Sequence, residues 1–117
     1  MADSDDIKQL LEQKRFLDEI EQGIRIANRE IIHNRIPKLT KKNILSFAVG
    51  VGRLRAKYLE EAMKLGEADD KDDVTEEVIN KISLLRKQYE EARHGFDDLR
   101  WAIERGYVDV EGIGRKS

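Results

Sequence analysis

Cysteine is missing from all 117 residues, so neither a disulfide nor a thiolate metal site can form. Stability must come from packing, and a reducing compartment, the cytoplasm, is the expected location. Proline occurs once, at Pro37, so nothing else in the chain forbids a long helix. No apolar run approaches the roughly 20 residues needed to span a bilayer, and no membrane span is expected. Residues 1–6 are acidic, with no basic region and no apolar stretch behind them, so no secretory signal is expected there. Hydroxyls are scarce too: Ser4, Thr40, Ser46, Thr75, Ser83 and Ser117 each lack a recognisable base and orienting acid in sequence, so no nucleophilic catalyst can be named. The expectation is a non-enzyme, with no cofactor and no small-molecule substrate.

What is abundant is charge, at 39% of residues. Such a chain folds only if its apolar residues fall on stripes, and here they do. From Asp73 to Gly106 the apolar residues Val78, Ile82, Leu85, Tyr89, Ala92, Phe96, Leu99 and Ile103 recur at steps of three and four, which is the period of a helix face. Asp73 and Glu76 have the spacing of a capping box, and Arg105-Gly106-Tyr107 reads as a helix end with a left-handed glycine. A first helix is expected from Ser4, as N-cap, to about Arg35, where Ile36 before Pro37 disfavours continuation. Its seam is Leu10, Leu17, Ile24 and Ile31 at seven-residue spacing, with Ile20 and Ala27 between, as in a coiled coil.

Thr40 is the expected cap of a second helix that Gly66 ends. Ile44, Phe47, Ala48, Val51, Leu54, Tyr58, Ala62 and Leu65 form one face of it. Beside this lies a second apolar face of Leu45, Val49, Gly52, Ala56, Leu59 and Met63, so the helix is apolar around more than half its circumference. The fold class is therefore all-α: one domain, residues 1–117, built as an antiparallel bundle of three long helices (about 4–35, 41–65 and 74–105) with a short C-terminal tail.

Two motifs invite chemistry. Glu30-Ile31-Ile32-His33 and Glu91-Ala92-Arg93-His94 are each a Glu-x-x-His, the pair that di-iron bundles project inward from their helices. Here His33 and His94 lie roughly 160° from their own apolar seams, so neither pair faces a core unless a dimer brings these surfaces together, and no metal site is assigned. Gly50-Val51-Gly52 lacks the preceding strand and the third glycine of a dinucleotide fingerprint, Arg55 standing in its place. Ala48, Gly52 and Ala56 at four-residue spacing read instead as small side chains that let another helix come close.

The formal net charge of −2 hides a strong asymmetry. Arg25 to Lys57 holds nine cations against one acid, a net +8, whereas Tyr58 to Asn80 holds nine acids against two lysines, a net −7. The excess apolar width of the second helix points to a protein that works by protein–protein interaction and self-associates, a homodimer, through Leu45, Val49, Gly52, Ala56, Leu59 and Met63. The alternative is binding of nucleic acid or another polyanion by Arg35, Lys38, Lys41, Lys42, Arg53 and Arg55. Against it stand a sequence pI of about 5.8 and the absence of aromatics interleaved with these cations. Trp101 lies about 150° from the seam of its helix, and the tail through Tyr107 is expected to cover it.

Overall fold

The computed structural model describes residues 2–36, 38–69 and 74–112. Three helices account for most of them: α1 (Ala2–Arg35), α2 (Lys41–Gly66) and α3 (Glu76–Glu104). No β-strand forms among the described residues, and no helix is long and apolar enough to cross a membrane.

The helix ends follow from local chemistry. Thr40 caps α2 with a full capping box: its hydroxyl accepts from the Asn43 amide at 3.1 Å, and the Asn43 side chain accepts from the Thr40 amide at 3.1 Å. Thr75 caps α3, its hydroxyl accepting from the Val78 amide at 3.3 Å. Asp73, expected as the cap, lies outside the described residues. α1 starts two residues before Ser4, so Ser4 sits within the helix instead of capping it. At the far end of α3, Gly106 takes φ 75°, and the amides of Gly106 and Tyr107 donate to the carbonyls of Ile103 and Ala102 at 3.0 and 2.9 Å. That is the double hydrogen bond of a Schellman turn, closed at the expected glycine.

Packing concentrates in one helix pair. α2 and α3 run antiparallel, as Phe47–Phe96, Tyr58–Tyr89 and Glu61–Lys81 meet in opposite sequence order. The face expected on α2 turns inward: Val51 is buried, and Ile44, Phe47, Ala48, Leu54, Tyr58, Ala62 and Leu65 are half-buried. On α3 the residues from Ile82 to Ile103 of the expected seam are half-buried, while Val78 is exposed. Phe47 and Phe96 meet edge to face at 5.4 Å. Phe47 passes directly over Gly95, where a Cβ would meet its ring at 3.6 Å, an ordinary van der Waals contact.

α1 does not lie against this pair. Among the described residues no Cα of α1 comes within 8 Å of a Cα in α2 or α3. The molecule is 82 × 44 × 22 Å with a radius of gyration of 23.5 Å, against about 13 Å for a compact chain of this length. A strap made by the tail fixes the splayed arrangement. The Glu111 amide donates to the Leu39 carbonyl at 2.8 Å, Thr40 and Glu111 form a parallel bridge, and Val108 and Leu39 are buried there. Arg29 pairs with Asp109, and Arg105 stands 3.9 Å from Glu21. The bundle is thus a packed hairpin with a helical arm strapped at its base.

Candidate interaction surfaces

The second face of α2 is uncovered. Leu45 and Met63 are 64% and 62% exposed, Val49, Ala56 and Leu59 are exposed as well, and Gly52 is half-buried. A Cβ built on Gly52 meets nothing within 4 Å, so the groove that its small size creates has no occupant among the described residues. The sequence-expected residues therefore do form one contiguous apolar strip, on the side of α2 away from α3.

The seam of α1 is a second open strip, which the sequence reading assigned to the bundle core. Leu10, Leu17 and Ile31 are 64%, 63% and 60% exposed, and Ile20 and Ile24 are each 47% exposed. The strap grips a different side of α1. Ile26, Arg29, Ile32, His33 and Ile36 line an open cleft of about 920 Å³ together with Leu39, Ile103 and the tail from Gly106 to Gly112. At 100° per residue these positions lie roughly 140° around the helix from the seam. A signal for the open seam was present in the sequence. Folding α1 back on α2 would set its basic C-terminal half, with Arg25, Arg29 and Arg35, beside Lys41, Lys42, Arg53 and Arg55, and its acidic N-terminal half beside Glu60 and Glu61.

The six cations of the alternative reading are all exposed at the α1–α2 junction and along α2. Arg55 is engaged: its Nε donates to the Tyr89 hydroxyl at 3.2 Å and its guanidinium lies 5.3 Å from that ring. Among the described residues no ion pair holds Arg35, Lys38, Lys41, Lys42 or Arg53. Farther along, Lys81 donates to Glu61 at 3.2 Å, and this hydrogen bond, with Lys64 also near, holds the Glu61 carboxyl below the usual carboxylate range. The Lys64 ammonium is raised in turn, chiefly by the charge of Glu61.

The two Glu-x-x-His pairs stay apart. Glu30 and His33 line the cleft, whereas Glu91 and His94 are exposed on α3, where Arg93 reaches to 3.4 Å of His94 Nε2 and adds a cation instead of a ligand. Among the described residues no three His, Asp or Glu side chains gather as a metal site would need. Trp101 meets Tyr107 edge to face at 5.6 Å and Arg105 stacks 4.9 Å from its ring, yet the indole is still 48% exposed. The tail covers one side of Trp101 and spends its buried residue, Val108, at the base of α1.

These features describe a small helical protein whose surface carries two open apolar strips and a basic junction. Comparison with protein-family models, with curated proteins and with solved structures finds no match to this chain.

Proposed function

We propose that the protein is a non-enzymatic helical module that acts by protein–protein interaction and self-associates as a homodimer in the cytoplasm. Excess surface carries the reading. The chain exposes 10169 Å², whereas a compact monomer of 13.6 kDa exposes about 6,600 Å². The difference, about 3,600 Å², is several times the roughly 800 Å² per partner that a stable interface takes. The exposed aliphatic side chains of α1 and α2 contribute to it, and water penalises such surface by about 25 cal/mol per Å². Leu45, Val49, Gly52, Ala56, Leu59 and Met63 are the interaction surface on α2, with Gly52 and Ala56 letting a partner helix come close. Light scattering after size exclusion tests the reading: a mass of twice 13.6 kDa is expected, and a monomer at high micromolar concentration overturns it.

A second reading rests on the unpaired cations. Arg35, Lys38, Lys41, Lys42 and Arg53, with Arg55 beside them, form a basic junction that suits nucleic acid or another polyanion. Titration with DNA and RNA at two salt concentrations separates the two. Polyanion binding weakens steeply with salt, and no binding at low salt removes this reading.

A further inference from the structure

We propose that two copies of the chain join through their α1 helices, packed antiparallel along the seam of Leu10, Leu17, Ile20, Ile24 and Ile31, which leaves the α2 strip free for a different protein. The proposal rests on the self-association reading and assigns its interface. Three observations favour α1.

The first is availability. The tail meets α1 on the side opposite the seam, through Arg29–Asp109 and the cleft, and the seam itself stays exposed, apart from α2 and α3. A heptad seam on a helix of 34 residues is long enough for a two-stranded coil, since about three heptads of apolar contact are present.

The second is charge. Between residues 4 and 21 α1 holds Asp5, Asp6, Glu12, Asp18, Glu19 and Glu21 against Lys8, Lys14 and Arg15. From 22 to 35 it holds Arg25, Arg29 and Arg35 against Glu30. An antiparallel pair sets each acidic half beside the basic half of the partner and opposes the two helix dipoles. A parallel pair sets like beside like. Exchange of α1 onto α2 of a second copy in the antiparallel sense brings Arg29 and Arg35 against Lys41 and Lys42, repeating the repulsion that keeps α1 away within one chain.

The third is symmetry. A single helix pairing with its own copy about a two-fold axis is isologous and closes at two, which an uncovered, self-complementary stripe needs if it is not to propagate. The two packed hairpins then stand at opposite ends of the α1 pair, with their α2 strips facing outward.

The test uses the full chain, which has no cysteine of its own to interfere. Spin labels are placed singly at Glu21→Cys, on the flank of the seam near its middle, and at Gln9→Cys, on the flank near its start. In an antiparallel pair centred near residue 21 the two Glu21 labels lie close together, while the two Gln9 labels are separated by about 35 Å, from 1.5 Å of rise per residue. Short distances at both positions mean a parallel pair and overturn the proposal. Light scattering on Leu17→Glu/Ile24→Glu and on Ala56→Glu separates this inference from the reading beneath it. The α1 double variant is expected to be a monomer with its α2–α3 helicity retained by circular dichroism, and Ala56→Glu to remain a dimer. A dimer that survives the α1 variant but not Ala56→Glu overturns the α1 interface and leaves self-association standing. A wild-type monomer overturns both.

Discussion

The α2–α3 hairpin and the α1 arm are built from the same kind of sequence, amphipathic and highly charged, yet one closes on itself and the other does not. In the hairpin the facing seams of α2 and α3 complement each other: Phe47 meets Phe96 over Gly95, Tyr58 stacks on Tyr89, and Lys81 reaches Glu61. In α1 the seam is as regular but stays open, and folding it onto α2 would set like charges together. Amphipathic period decides that a helix has a face to bury. Charge placement along the helix decides against what.

The comparison breaks most sharply at Phe47. Phe47→Ala removes the ring that fills the approach at Gly95 and is expected to cost about 2–3 kcal/mol, at the low end for phenylalanine because the side chain is only half-buried. Urea unfolding at fixed protein concentration measures it, and a loss below 1 kcal/mol would mean that the hairpin is held mainly elsewhere. Gly106→Ala comes next. It forces a Cβ into φ 75° and to 3.3 Å from the Arg25 side chain, so about 1–2 kcal/mol is expected, together with a loosened hold on α1. Tyr107→Ala has little effect on stability but opens one side of Trp101, so its fluorescence should shift to the red; an unchanged spectrum would show that Tyr107 does not shield the indole.

The smallest effect is at Glu61. Its carboxyl is held low in the folded chain, so its stabilising contribution is present above the ordinary value of 4.5 and is lost as pH falls through the folded value. Glu61→Gln should therefore flatten the acid limb of the stability curve slightly and leave neutral pH nearly unchanged. A variant that unfolds in acid just as the parent does would remove the Lys81 contact from the account of α3 docking.

Much of this architecture was legible in the sequence. The period of Ile44 to Leu65 and of Ile82 to Ile103, the cap at Thr40 and the turn at Gly106 are local signals, and local chemistry fixes them. The strip on α2 was legible for the same reason, since a face wider than one neighbour can cover must be left over. The open position of α1 was signalled only by charge, Arg29 and Arg35 facing Lys41 and Lys42 in a closed bundle, because a heptad seam specifies a helical partner without saying whose it is. The strap was not legible, because Val108, Asp109 and Glu111 have no period and find their partners at Leu39, Arg29 and Thr40 only through the fold. Ser4 was read as a cap because it precedes two acids, but the helix gains residues on its N-terminal side and runs past it.

Hydrogen exchange as a function of protein concentration tests the contrast between arm and hairpin most directly. Amides of residues 10–31 should be protected at high micromolar concentration and lose that protection on dilution, while those of α2 and α3 exchange at rates independent of concentration. Protection of α1 that persists unchanged into the low micromolar range would contradict the account, since its seam would then be satisfied without a second copy.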